Sequence, residues 1–211
     1  MPNKLVTSAF FSFSGLLLLG LLTVFGGCAA GGSKSDLKQR IEQNGYSFQP
    51  PGQDGWFIAS RSADRVTLAK AGRMEGETYL IEGSHLDMAG LANSNGLVDF
   101  AADLSSRSLP TPRFRIREED TTNIVIADAQ CAMTHVVAED RDPGTGSNVL
   151  TAMLLDTVST VCKHPTSTQL GILMTFTHRS FPEDRDRTFE AYAQSVLQSQ
   201  QFSPIDTRVN N

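Results

Sequence analysis

The chain has 211 residues, 19% of them charged, with a formal net charge of −5 and a sequence pI near 5.3. A mildly acidic chain with no basic run lacks the electrostatic footprint of a nucleic-acid binder and the polybasic patch that holds a protein on anionic lipid. Three cysteines without a CxxC spacing give no support to thioredoxin-like redox chemistry.

The first residues read as an export signal. Lys4 is the one charge before Lys34 and sits where a signal peptide wants a positive residue. Gly15 to Phe25 (GLLLLGLLTVF) is apolar but shorter than the about 20 residues that cross a bilayer. Small residues and a cysteine follow. Val24-Phe25-Gly26-Gly27-Cys28 resembles a bacterial lipobox, with Phe25 where leucine is usual. The resemblance implies cleavage before Cys28 and acylation of that cysteine. Several acyl chains, each worth about 0.8 kcal/mol per buried methylene, then anchor the protein stably. The other reading is an ordinary secreted chain cut near Ala29 or Ala30. Ala29 stands where an inner-membrane lipoprotein carries aspartate, so the resemblance implies the periplasmic face of the outer membrane.

The expected organisation is a signal peptide over 1–27, an acylated cysteine and tether over 28–35, and a single globular domain over 36–211. The tether (AAGGSKS) is rich in Gly and Ser. A helix is expected next, capped by Ser33 or Ser35, with Leu37 and Ile41 on one face and Gly45 ending it. "GWFIASRS", "DRVTLAKAG" and "ETYLIEGSHL" read as strands. Asn93 to Ser106 returns to helical spacing through Leu97, Phe100, Ala101 and Leu104. "RFRIREED" and "TNIVIAD" read as two strands, and "QCAMTHVVAED", "NVLTAMLLDTVSTVC" and "QLGILMTFTHRS" as three more. A last helix carries Phe189, Tyr192, Ala193, Val196 and Leu197 on one stripe, after the solvated "EDRDR". The fold class is therefore α+β, an antiparallel sheet flanked by helices.

Two cysteines remain after the anchor, Cys131 and Cys162, and an exported chain invites a disulfide between them. If they face each other across a hairpin, its centre falls between Gly146 and Ser147, inside the turn signal "RDPGTGSN". Closing a loop of this length stabilises by roughly 3–4 kcal/mol. The alternatives are two buried thiols, or a metal site in which His135 and His164 would have to converge on them.

The same register assigns faces. With a second hairpin centred on "KHPTST", Cys131, Met133, His135, Asp156, Val158 and Leu173 share one face. Met153, Leu155, Ile172, Met174, Phe176 and His178 share the other, so His135 and His178 are expected to point opposite ways. His135 is placed near Asp156 or Thr160, a pairing that could serve acid–base work. Glu139, Asp140 and Arg141 should meet His178 and Arg179 at one sheet end, as a salt-bridged or ligand-binding rim. His85 is expected on a surface loop, and Trp56 in the core or at a strand edge.

No HExxH, GxSxG or Walker-type loop is present, and "GLANSNG" lacks a dinucleotide-binding spacing. No cofactor is expected. "GWFIASRSADRVTLAKAG" and the closing "FEAYAQSVLQSQQF" are similar to the α/β/α sandwich of PsbP-like and Mog-like proteins. Small bacterial lipoproteins of that kind also carry, in this order, the equivalents of Val137 to Asp140, Cys162 to Pro165 and Thr177 to Arg179. The resemblance spans about residues 45–203 and implies the fold alone, with no catalytic residue. The expected function is a lipid-anchored envelope protein that binds an unknown protein partner or assists an assembly without catalysis. The rivals are a small-ligand or metal binder using the rim at Glu139, Asp140 and His178, and a hydrolase working through Asp156 or His135.

Overall fold

The computed structural model describes residues 37–141 and 152–206. The signal segment, Cys28, the tether and the apex of the "RDPGTGSN" hairpin lie outside the described residues. The described residues all fall within one compact unit.

The chain opens with strands rather than the expected helix. β1 (Ile41–Gln43) and β2 (Tyr46–Phe48) form a hairpin across Asn44-Gly45, pairing Gln43 with Tyr46. Gly45 supplies the positive φ of +84° that this turn requires. Leu37 and Ile41 do share a side, which fits a helical spacing, but the Asn-Gly turn and the alternation through Ile41, Tyr46 and Phe48 win. Tyr46 and Phe48 are fully buried.

Seven longer strands make the main sheet: β3 (Phe57–Arg61), β4 (Arg65–Ala71), β5 (Thr78–Asp87), β6 (Phe114–Ile126), β7 (Ala129–Asp140), β8 (Met153–Lys163) and β9 (Leu170–Ser180). Their order is β3-β4-β5-β9-β8-β7-β6, antiparallel throughout. The two strands expected over 113–128 are one. β6 absorbs a bulge between Ile116 and Glu118, which lets a 13-residue strand follow its partner. Helices α1 (Leu97–Ser108) and α2 (Phe189–Leu197) lie on opposite faces of the sheet, α1 against β6–β8 and α2 against β8 and β9. A short final strand, β10 (Gln201–Phe202), pairs with β2 to complete a second, three-stranded sheet. The fold is thus α+β, an antiparallel sheet flanked by helices.

The face carrying α2 holds the larger core. Val66, Leu68, Ile81, Val158, Ile172, Met174 and Phe176 meet Phe189, Ala193 and Leu197 from α2 and Tyr46 and Phe48 from the small sheet. Tyr46 presses so closely on β5 that a Cβ on Gly83 would lie 2.8 Å from its hydroxyl. The opposite face packs Leu97, Phe100 and Ala101 of α1 over Ala132 and Val161.

Cys131 and Cys162 face each other across β7 and β8 and are joined by a disulfide, with Cα atoms 4.0 Å apart. Ile126 and Ala129 bury it. The next hairpin departs from the expected register. Leu154 pairs with Ser180 and Lys163 with Gly171, which centres the turn on Ser167 and not inside Pro165-Thr166. A shift of an odd number of positions in the pairing sum exchanges the two faces of β9. Leu173 therefore joins the α1 face, while Ile172, Met174, Phe176 and His178 join His135 and Asp156 on the α2 face.

Candidate functional site

The corrected register brings the polar residues of the α2 face together. Asp156 lies opposite Val137 on β7 and opposite His178 on β9, and His135 is one diagonal step away. His135 Nε2 donates to Asp156 Oδ1 at 2.8 Å, and Arg185 Nε donates to Asp156 Oδ2 at 3.1 Å. Arg185 also reaches Glu118 on β6 at 3.5 Å. The second ring nitrogen of His135 lies 3.4 Å from Glu190 in the first turn of α2. One buried carboxylate thus gathers an imidazole and a guanidinium from different elements. The Asp156 hydrogen bond, working against burial, raises the pKa of His135 above its ordinary value.

Beside it stands a second pair. His178 Nε2 donates to Glu77 Oε1 at 2.9 Å, and its ring stacks on Tyr79 with centroids 4.1 Å apart. Glu77 Oε2 accepts the backbone N–H groups of Arg73 at 2.6 Å and Met74 at 3.1 Å, so this carboxylate also closes the β4–β5 turn. Burial raises the Glu77 pKa, but His178 and the two backbone donors outweigh it and the net direction is down. Burial and the neighbouring Glu77 push Tyr79 up to about 12. The aromatic group extends through Trp56, Phe176, Phe189 and Tyr192.

The rim expected at the sheet end does not assemble as one cluster. Asp140 is on the α1 face, where Arg113 grips it with two bonds of 2.9 Å and Arg179 approaches to 3.6 Å. Glu139 is on the α2 face and pairs with Arg117. His178 belongs to Glu77. The salt-bridged character of the rim is present, but the sheet separates its members.

The remaining histidines have internal partners too. His85 lies within β5, not on a loop, and donates to the carbonyl of Asn44 at 2.7 Å. His164 Nε2 reaches the carbonyls of Gly45 at 2.9 Å and Ser203 at 3.1 Å, fastening the β8–β9 turn to the small sheet. It lies on the border of an open cleft of about 690 Å³, which also touches Asp128, Lys163, Thr166 and Leu170. The cleft and the His135–Asp156 group share no residue. Cys131 and Cys162 are committed to their disulfide and do not meet His135 or His164 as metal ligands. Among the described residues no group of three or more His, Cys, Asp or Glu side chains is arranged to hold a metal ion. Nor is any described helix long and apolar enough to cross a membrane.

Sequence reasoning placed His135 beside Asp156 but missed Glu77, Arg185 and Glu190. Arg185 lies in the "EDRDR" stretch, whose composition reads as solvated. Glu77 is separated from His178 by 101 positions.

No family model matches this chain, and no curated protein matches it. Among solved structures it is similar to cyanobacterial PsbP (CyanoP) from Synechocystis, with a TM-score of 0.47 and 16% identity over 85% of this chain and 99% of that one. It is also similar to LpqN, described as involved in cell envelope biogenesis of Mycobacterium tuberculosis, with a TM-score of 0.35 and 10% identity over 79% of this chain and 90% of that one.

Proposed function

We propose that this protein is a lipid-anchored domain of the bacterial cell envelope, held at the periplasmic face of the outer membrane through Cys28, where it binds a protein partner without catalysis. The observation that carries the non-catalytic part is the use of its histidines. All four in the chain (His85, His135, His164 and His178) bond to internal groups and fasten one element to another. A general acid or base needs a ring nitrogen within reach of a substrate proton. Each ring has one nitrogen committed to an internal partner, and the remaining nitrogen of His178 is buried. The lipobox-like stretch ending at Cys28 supports the anchor, and a disulfide suits an oxidising compartment.

The α1 face supports partner binding. Because α1 covers β6–β8, the outer strands β3–β5 present Phe57 and Leu80 side by side across Ala69, each 39% exposed. Apolar groups aligned on a sheet face are a surface that a partner can cover.

Site-directed photo-crosslinking in the native membrane tests the proposal. A photoreactive residue replacing Leu80 is expected to give a discrete adduct, lost when residues 1–28 are exchanged for an ordinary cleavable export signal that leaves no cysteine to acylate. The same residue replacing Ser195 on α2 is expected to give none. Equal labelling from both positions, or an adduct at position 80 that persists in the unacylated secreted form, contradicts it.

A further inference from the structure

We propose that His135 is a pH-dependent latch that holds the first turn of α2 on the sheet and releases it as the ring loses its proton. The geometry is a ring between two carboxylates on different elements. Nε2 lies 2.8 Å from Asp156 Oδ1 on β8, and Nδ1 lies 3.4 Å from Glu190 Oε2 on α2. Only an imidazolium carries a proton on both nitrogens. When the ring is neutral, the stronger bond to buried Asp156 keeps the Nε2 proton. Nδ1 then presents a lone pair to the Glu190 carboxylate, and attraction turns to repulsion.

The surroundings favour the protonated form. From β6, Asp120 stands opposite His135 in the register, and Glu118 is engaged by Arg185. The segment before α2 contributes Arg185, which occupies the second oxygen of Asp156. From β9, His178 lies across from Asp156 but directs Nε2 to Glu77. On α2 itself, Gln194 donates to the other oxygen of Glu190 at 3.1 Å. Acidic groups outnumber the cations around the ring, and the direction of its pKa agrees. Release acts next to Phe189, the fully buried residue that seats α2 against Phe176. Loosening is therefore local to the start of the helix.

Amide hydrogen exchange on the full chain, corrected for the intrinsic pH dependence of exchange, provides the test. Between about pH 6 and about pH 8.5 the opening of the first α2 turn is expected to increase about threefold, the scale of a partly exposed ion pair. The β9 amides are expected to stay unchanged. Glu190→Gln is expected to flatten the response, because a glutamine amide can offer its carbonyl to the imidazolium or its NH₂ to the neutral ring. The exposed position of Glu190 makes this variant safe for folding. A flat α2 response in the native protein overturns the proposal. So does an unaltered response in Glu190→Gln, or a change of equal size in β9.

Discussion

Asp156 is nearly inaccessible, yet both of its oxygens are in use, one by His135 and one by Arg185. Removing one partner of a buried charged group leaves the others without compensation, at a cost of about 3 kcal/mol. Asp156→Asn is therefore expected to lower the unfolding free energy by about that amount in denaturant titrations. The same variant should also bring the His135 pKa down, read from its ring protons by NMR. A raised folded-state pKa stabilises the protein fully below the unfolded value near 6.5 and ceases to do so as pH rises through the folded value. The His135 contribution is thus present in mild acid and lost towards alkaline pH, and Asp156→Asn should remove that slope. Backbone conformation offers an independent check at the β6–β7 turn. Ala127 has a φ of +44° and precedes Asp128 at +65°. The left-handed region costs a residue with a Cβ roughly 1–2 kcal/mol, and the gain on introducing glycine is reduced by its greater freedom when unfolded. Ala127→Gly is expected to raise stability by about 0.5–1 kcal/mol, measured by the denaturation midpoint.

Element by element, legibility followed the range of the interactions. Strands β3 to β5 and β7 to β9, and both helices, are legible because alternation and helical spacing are local signals. The Cys131–Cys162 pairing register was also visible, since the two cysteines and the "RDPGTGSN" turn point to one hairpin. The β8–β9 turn is displaced from the centre of "KHPTST", whose polar residues and proline make the local turn signal. The observed turn instead uses Ser167, whose hydroxyl accepts the backbone N–H groups of Gln169 and Leu170. This register puts His178 on the α2 face, across from Asp156. The opening hairpin was read as a helix because Leu37 and Ile41 are also one helical turn apart. Its partner β10 lies more than 150 positions away, so the third strand of the small sheet has no local signature, although Asn44-Gly45 marks the hairpin. The disulfide closes 31 positions of chain between β7 and β8. Reducing it is expected to lower stability by about 3 kcal/mol, seen as a fall in the urea midpoint with dithiothreitol. Because both sulfurs are buried, reduction of the native protein should be slow and should accelerate on partial unfolding.

At the scale of the molecule, the sheet is a platform with unequal sides. The α2 side is filled by a helix, a second sheet and charged fasteners around Asp156 and Glu77, and it takes the stabilising role. The α1 side is covered over β6–β8 and leaves Phe57 and Leu80 open on β3–β5. Phe57→Ser is expected to change the melting temperature little, because the side chain is already partly hydrated, while weakening the crosslink from a photoreactive residue at position 80. The proposed anchor at Cys28 comes before the proposed partner, because an anchored domain meets only what shares its membrane surface. Intact-mass spectrometry of protein extracted from native membranes, with and without reductant, tests that anchor together with the disulfide. The expected result is a chain beginning at Cys28 that carries acyl groups and gains about 2 Da on reduction, the two hydrogens of an opened disulfide. An unacylated chain beginning after Ala29 or Ala30, with no gain on reduction, would contradict it.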